Sequence, residues 1–119
     1  MMKKKILLVE DTPTILKMAE FRLRKADFEV VTAQSGEEAL EIVDKERPDL
    51  MLLDYGLPGI DGAEVCRRFK SDERLKRIPI IIFSATLEDL KRVKEFGADD
   101  GILKPYESEG LIAKIKEHL

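Results

Sequence analysis

The sequence predicts an α/β fold in which five parallel strands form an open sheet with helices on both faces. Five short apolar runs alternate with longer segments whose apolar residues recur at helical spacing. The runs are continuously apolar, which is typical of parallel strands that are covered on both faces. A closed eight-stranded barrel needs about twice this chain length. We therefore expect residues 1–119 to form one doubly wound domain.

The elements follow from these patterns in chain order. The five expected strands contain residues 6–9, 30–31, 50–53, 80–83 and 102–103. Each intervening or following helix has an apolar stripe. The stripes are Ile15, Ala19, Leu23 and Ala26; Ala39, Leu40 and Val43; Val65 and Phe69; Leu90 and Val93; and Leu111, Ile115 and Leu119. We expect each stripe to face the sheet.

Capping signals indicate where the helices begin. Four of them are preceded by a side chain that can accept hydrogen bonds from first-turn amides: Thr12, Ser35, Asp61 and Thr86. Pro13 suits the first helical position after Thr12. An acidic residue stands three positions after each of the other three caps, as in a capping box. Gly97 is expected to end the fourth helix.

The composition excludes several classes of protein. The chain has 21 basic and 24 acidic residues and a formal charge of −3, so no broad basic field favours direct nucleic-acid binding. The apolar run at residues 6–9 is too short for a signal peptide or a membrane span, and we expect a cytoplasmic protein. Cys66 is the single cysteine, which excludes an internal disulfide and is typical of a buried core residue.

Polar residues end four of the five strands. Glu10 and Asp11 follow the first strand, and Asp54, Ser84 and Lys104 end the third, fourth and fifth. Each has an ordinary explanation when taken singly, such as helix-end electrostatics, turn chemistry or a solvated amine. Ligands of open α/β sheets, however, bind beyond the carboxyl ends of the strands, where these residues are expected to converge.

Such a set of groups indicates phosphoryl transfer. Clustered carboxylates repel one another, which indicates a bound cation, and oxygen ligands favour Mg²⁺, with Mn²⁺ as the alternative. A carboxylate beside the metal can attack phosphorus and become an acyl phosphate. A metal ion and an ammonium group would offset the charge on the transferring oxygens.

Four motifs in order resemble the receiver domains of two-component response regulators over essentially the whole chain. They are KKKILLVED at the start, PDLMLLDYGLPGIDG in the middle, FSA after the fourth strand, and GADDGILKP near the end. The resemblance implies a flavodoxin-like sheet with strand order 2-1-3-4-5. It also implies a cis Lys104–Pro105 peptide bond.

The resemblance assigns roles to the strand-end residues. Asp54 would be the phosphoryl acceptor, assisted by Ser84 and Lys104. Asp11, Asp54 and the backbone carbonyl of Gly56 would bind Mg²⁺ directly, and Glu10 would act largely through water. The phosphoryl group would come from a sensor histidine kinase or a histidine phosphotransfer protein.

The expected output is altered binding of a downstream protein through the surface of helix 4, strand 5 and helix 5. The protein would be a monomer or a phosphorylation-dependent dimer, without direct nucleic-acid or membrane binding. It would be no enzyme beyond its own aspartyl phosphorylation and dephosphorylation. The chain is either a stand-alone regulator or a receiver from a larger protein.

The sequence departs from the family pattern at three positions. Glu10 and Ser84 replace the commoner Asp and Thr and keep the required chemical groups. Gly101 stands where many receivers carry a switching Tyr or Phe. We expect the missing aromatic to reduce the change in the surface of helix 4, strand 5 and helix 5. Coupling would then run mainly through backbone shifts in residues 84–86 and helix 4, unless another group fills the space that Ser84 vacates on phosphorylation.

Two other functions fit the sequence less well. An aspartyl-nucleophile, Mg²⁺-dependent phosphatase commonly has a second acid two residues after the nucleophile, where this chain has Gly56. A non-phosphorylated scaffold of similar architecture remains open, but a flavin-binding module would need a phosphate loop where Asp11, Thr12 and Pro13 stand. We expect His118 to be a solvated terminal side chain and not a phosphorelay histidine.

Overall fold

Five runs of residues with mostly branched apolar side chains form a parallel sheet in the computed structural model, which describes residues 3–119. Its strands are β1 (Lys5–Val9), β2 (Glu29–Ala33), β3 (Leu50–Asp54), β4 (Ile80–Ser84) and β5 (Asp100–Leu103). The helices are α1 (Pro13–Lys25), α2 (Gly36–Glu46), α3 (Gly62–Ser71), α4 (Leu87–Lys91) and α5 (Ser108–Glu117). The strand order β2-β1-β3-β4-β5 confirms both the predicted fold class and the order implied by the resemblance.

The sheet separates two apolar cores, which explains why its strands are continuously apolar. Successive strand side chains point to opposite faces. Leu7 and Val9 join the core under α2 and α3, whereas Ile6 and Leu8 join the core under α1 and α5. All four residues are fully buried. A polar residue in the middle of β1 would therefore lie inside one of the two cores and lose its hydration.

Three of the four predicted caps form through their side chains. Ser35, Asp61 and Thr86 each accept a hydrogen bond from the backbone amide three residues later. Thr12 occupies the cap position of α1 but its side chain makes no capping bond. The prediction for Thr12 was therefore right in position and wrong in mechanism, because Pro13 alone marks the first turn.

One member of the predicted α1 stripe, Ile15, was wrong, whereas Ala19, Leu23 and Ala26 face the core as predicted. Ile15 is 43% exposed, whereas Leu16 is buried with Ala19 and Leu23. Both Ile15 and Leu16 are apolar, so their spacing to Ala19 and Leu23 does not decide which of them faces the sheet. The alternative stripe, with i, i+3 and i+7 spacing, is the one that packs.

The fourth helix is also shorter than predicted. It ends at Lys91 after five residues, none of them buried, and a 3₁₀ helix continues from Val93 to Phe96. Val93 and Phe96 are buried and anchor this second part. Gly97 then ends it in the left-handed region with φ 97°, as the sequence predicted for the end of the segment.

The end of α5 contacts the start of β5. His118 Nε2 lies 3.0 Å from Asp100 Oδ2, and Lys114 Nζ lies 3.2 Å from Asp100 Oδ1. Burial opposes ionisation of Asp100, but hydrogen bonds from His118, the Gly101 amide and Lys114 lower its pKa. The expectation that His118 is merely solvated was wrong, because its side chain is mostly covered and paired.

Cys66 and the peptide bond between Lys104 and Pro105 agree with the predictions. Cys66 has no exposed surface, and burial raises the pKa of its thiol to about 12, as expected for an inert core cysteine. The peptide bond between Lys104 and Pro105 is cis. Within residues 3–119, none of the helices combines the length and the apolar character needed to cross a bilayer.

Candidate functional site

Strand register places the polar strand ends along one edge of the sheet. Val9 of β1 pairs with Leu53 of β3, so Glu10 and Asp54 each follow a paired residue. Asp54 in turn pairs with Phe83, the residue before Ser84. Lys104 follows Leu103, the partner of Ser84. β1 and β3 are neighbours in the sheet although β2 lies between them in the sequence. Ligand-binding crevices of open α/β sheets lie at the carboxyl ends of strands at such a point.

Three carboxyl groups meet in the crevice. Glu10, Asp11 and Asp54 each offer an oxygen within 4.8 Å of the others. Glu10 is 1% exposed and Asp54 6%, whereas Asp11 is partly exposed. Two acids therefore close the bottom of the site, and the third lies at its mouth.

Lys104 connects the acids. Its Nζ lies 3.1 Å from Asp54 Oδ1 and 3.7 Å from Glu10 Oε2. The second distance is an ion-pair distance that is too long for a hydrogen bond. The ammonium group also lies 4.9 Å from the centre of the Phe83 ring, a cation–π geometry that supports its position. Gly56 contributes a backbone amide, 3.4 Å from Asp54 Oδ1.

Glu10 bears the electrostatic cost of this arrangement. Its Oε2 is buried without a hydrogen-bond partner among the described residues. The pKa of Glu10 is raised to about 7: burial is the largest cause, the neighbouring Asp54 is the next, Lys104 opposes the rise and Asp11 adds a smaller repulsion. One ammonium group does not compensate three carboxylates.

The donor set fits a hard divalent cation. Carboxylate oxygens are the ligands that Mg²⁺ and Mn²⁺ prefer, and a cation would compensate both the repulsion and the unpaired Glu10 oxygen. A second group of candidate ligands lies where the start of β5 meets the end of α5. It consists of Asp100, Glu117 and His118. There Asp100 already has Lys114 and His118 as partners, so no comparable charge is left uncompensated.

The hydroxyl of Ser84 is engaged outside the acidic crevice. Its Oγ lies 3.0 Å from Oδ2 of Asp89, in the first turn of α4. The Thr86 amide donates to the same hydroxyl oxygen at 3.4 Å. The sequence pattern predicted Asp89 only as a first-turn acid of the fourth helix, and its contact with Ser84 was missed. The capping pattern at Thr86 places Asp89 in the first turn of α4 but does not determine where its carboxylate points.

The space beside Gly101 is filled by α4. A Cβ atom on Gly101 would lie 2.9 Å from Leu90 Cδ2 and 3.5 Å from Val93 Cγ2. Leu90 therefore packs directly over the glycine backbone. The expected effect of Gly101 on coupling stays a prediction.

An apolar groove adjoins the site. It has a volume of about 420 Å³, and its lining includes Ile15, Met18, Arg22, Lys104 and Tyr106. Ile15 and Met18 are exposed, and Lys104 places one end of the groove next to Asp54. A protein that reaches Asp54 from this side would cover apolar surface as it approaches.

Comparisons with known sequences agree on one family. The model of the response regulator receiver domain matches residues 6–116. The chain is also 38% identical, over 117 residues, to the alkaline phosphatase synthesis transcriptional regulatory protein PhoP of Bacillus subtilis. That match covers 97% of this chain and 48% of PhoP, so the chain spans about half the length of this curated relative.

Solved structures show the same fold. The chemotaxis response regulator CheY4 of Vibrio cholerae superposes with a TM-score of 0.92 at 29% identity, covering 99% of this chain and 100% of CheY4. The response regulator protein TrrA of Thermotoga maritima, solved in complex with Mg²⁺ and BeF, superposes with a TM-score of 0.89. TrrA is 31% identical, and the match covers 98% of this chain and 99% of TrrA.

Proposed function

The chain belongs to the response regulator receiver domain family, and on that premise we propose that it is a signalling switch controlled by phosphorylation of Asp54. Receiver domains of this family accept phosphate from histidine kinases and act on downstream targets. The observation that supports Asp54 as the phosphorylated residue is the set of groups around its side chain. It is a buried carboxylate at the end of the central strand, contacted by Lys104 and flanked by two further acids.

The proposed reaction is an in-line transfer. An Asp54 carboxylate oxygen attacks the phosphorus of a phosphohistidine, and a new oxygen–phosphorus bond forms as the phosphorus–nitrogen bond breaks. The electron pair of the broken bond leaves with the imidazole. Lys104 offsets negative charge on the phosphoryl oxygens and already lies 3.1 Å from the attacking carboxylate. Slow hydrolysis of the acyl phosphate would reset the switch.

We assign the divalent cation to Asp11, Asp54 and the backbone carbonyl of Gly56, with Glu10 acting largely through water. The cation supplies charge neutralisation for the transferring phosphoryl group. The three acids supply the negative charge that holds it, and the unpaired oxygen of Glu10 supports a cation or its bound water as the missing partner. Mg²⁺ is the proposed ion, and Mn²⁺ fits the same ligands.

Ser84 is the proposed link between the site and the outer surface. In the phosphorylated state its hydroxyl would donate to a phosphoryl oxygen, and its neighbours in α4 would adjust. The surface formed by α4, β5 and α5 would then change its affinity for a downstream protein. Leu87 and Leu103 on this surface are exposed apolar side chains of the kind that binding interfaces cover.

We propose that residues 1–119 form one receiver domain and that its donor is a sensor histidine kinase or a histidine phosphotransfer protein. We further propose a cytoplasmic location, and a monomer that dimerises, if at all, on phosphorylation. No direct binding to nucleic acid or membranes is part of the function, because the net charge is −3 and no basic field supports it.

Phosphorylation by a small donor tests the proposal. Acetyl phosphate with Mg²⁺ should add one phosphoryl group to the wild-type protein, seen by intact-mass spectrometry, and proteolytic mapping should place it on Asp54. Asp54→Asn should abolish the mass change. The matched control is Asp44→Asn, which changes an exposed carboxylate paired with Arg74 and should leave phosphorylation intact. Equal phosphorylation of Asp54→Asn would reject the assignment.

A further inference from the structure

If the proposed function is correct, the hydroxyl hydrogen of Ser84 has two competing acceptors, the Asp89 carboxylate and a phosphoryl group on Asp54. A serine hydroxyl donates a single hydrogen bond, and a carboxylate oxygen can only accept. The contact between Ser84 Oγ and Asp89 Oδ2 at 3.0 Å therefore uses the hydrogen of Ser84. The same hydrogen is the one that a phosphoryl group on Asp54 would need.

We propose that Asp89 is a positioning residue that withholds the Ser84 hydroxyl from the unphosphorylated site, so that phosphorylation must break the Ser84–Asp89 hydrogen bond and thereby releases α4. This inference rests on the proposed function of Asp54 and adds the element that opposes switching. Asp89 touches no reacting atom and acts only through Ser84.

Asp89 has one side-chain partner among the described residues, and that partner is Ser84. The backbone amide of Asp89 donates to Thr86, but the capping bond does not involve the Asp89 carboxylate. A residue whose only role was to start the helix would not need its carboxylate turned toward β4. The orientation of Asp89 therefore serves the strand end and not only the helix end.

The apolar contact between α4 and the core is made by Leu90, so loss of the Ser84–Asp89 bond next to it has a structural effect. The helix has five residues, and none of them is buried. Leu90, the next residue after Asp89, packs over the bare backbone of Gly101 on β5. A glycine offers no side chain to lock Leu90 in place. Movement of Asp89 toward solvent would thus carry Leu90 off Gly101, which transmits the event to β5 without an aromatic switch.

The affinity for beryllofluoride, a phosphoryl mimic, measures the competition. Asp89→Ala should bind beryllofluoride with Mg²⁺ about fivefold more tightly than the control, because a hydrogen bond that opposes binding is gone. The control is Glu88→Ala, which removes an exposed carboxylate from the same helical turn without touching Ser84. Both affinities are obtained by NMR titration of amide shifts.

A Ser84→Ala background separates the hydrogen bond from simple charge removal. In that background Asp89→Ala and Glu88→Ala should bind beryllofluoride equally, because no hydroxyl remains to be contested. In the unliganded wild-type background, Asp89→Ala should also move the amide shifts of residues 85–86 toward their bound positions. If Asp89→Ala fails to fold, Asp89→Asn should show a smaller gain in the same direction, since an amide oxygen is a weaker acceptor.

The outcomes are distinct. Equal affinities of Asp89→Ala and Glu88→Ala in the wild-type background would overturn the inference. A gain that persists unchanged in the Ser84→Ala background would overturn it as well, because charge alone would then explain the gain. If wild-type protein binds no beryllofluoride and accepts no phosphoryl group, the proposed function fails and the inference fails with it.

Discussion

A carboxyl group buried beside other carboxyl groups makes the stability of the protein depend on pH. The pKa of Glu10 rises from 4.5 to about 7 because of burial and the neighbouring Asp54. A folded-state pKa above the unfolded value means that the folded state binds the extra proton. Stability from this group is therefore complete below about pH 4.5 and is lost as the pH rises through about 7.

The Glu10→Gln variant tests this effect. Without metal, the free energy of unfolding of the wild-type protein should fall by roughly 3 kcal/mol or less between pH 4.5 and 8, the equivalent of the raised pKa. The fall should shrink in Glu10→Gln, because glutamine has no proton to lose. Urea unfolding at several pH values measures it. Glu41→Gln changes an exposed acid of α2 and should retain the wild-type fall; the same fall in both variants would contradict the assignment.

Single residues also show what the sequence could predict about the site. Glu10, Asp11, Asp54 and Lys104 were predictable as neighbours because parallel strands bring their carboxyl ends to one edge. The partners of Ser84 and His118 were not predictable, since Asp89 and Asp100 meet them through the orientation of a helix and not through strand order.

At the scale of elements, α2 packs unusually close to α3. A Cβ atom on Gly36 would lie 2.6 Å from Val65 Cγ2 and 2.8 Å from Ile60 Cγ1. Both neighbours are branched side chains in or beside a filled core, so they have little room to yield. Glycine at this position lets the start of α2 approach the loop and helix that follow β3.

Two glycine substitutions should therefore have opposite effects. Gly36→Ala should destabilise the protein by about 1–3 kcal/mol, because overpacking outweighs the better helix propensity of alanine. Gly110→Ala should stabilise it by up to about 1 kcal/mol, since nothing lies within 4 Å of a Cβ atom on Gly110 in α5. Thermal and urea unfolding compare the two. Stabilisation of both variants would show that α2 and α3 separate easily.

The errors in the element assignments have physical causes. Periodicity located α1 but left its phase open, because Ile15 and Leu16 are both apolar and only packing against the sheet chose Leu16. The break after Lys91 was not predictable from spacing, since Leu90 and Val93 fit either a continuous helix or an α-helical turn followed by a 3₁₀ helix. Caps were predicted better because they depend on a few local atoms.

At the scale of the whole molecule, the acidic crevice should couple metal binding to folding. A ligand that binds only the folded state stabilises it in proportion to the logarithm of its concentration over Kd. Millimolar Mg²⁺ should raise Tm by on the order of a few degrees at neutral pH. The rise should be smaller at about pH 5, where the protonated Glu10 has already relieved the repulsion.

Variants at the two acidic groups identify the source of this shift. Differential scanning calorimetry should show that Asp11→Asn loses most of the Mg²⁺-dependent rise in Tm. Glu117→Gln, at the second group of candidate ligands, should keep it. An unchanged Tm of wild-type protein across the titration would count against a metal site in the crevice.

The response to phosphorylation should also depend on Gly101 across the molecule. We predict that Gly101→Tyr enlarges the beryllofluoride-induced shift changes in β5 and α5, because an aromatic ring would displace Leu90 and add a side chain with two alternative positions. Chemical-shift mapping of both proteins measures the difference. Equally extensive changes in the wild-type protein would show that the missing aromatic side chain does not limit coupling.

The apolar patterns of the strands predicted only part of the sheet topology. The continuous apolar runs predicted a parallel sheet because each strand serves two cores. They did not determine which strands are neighbours, since Ile6–Leu8 would fit between almost any pair of such runs. Strand order came from the resemblance of the four motifs, and the structure confirmed it.

The burial of Cys66 provides an internal reporter of unfolding. Its thiol has no exposed surface and a pKa of about 12, and the chain contains no other cysteine. A thiol reagent should therefore react at neutral pH only with molecules in which the core under α3 has opened. Labels attached to cysteines introduced on α4 could then follow the switch in the otherwise native sequence, while slow modification of Cys66 in the same sample would time the opening of the core.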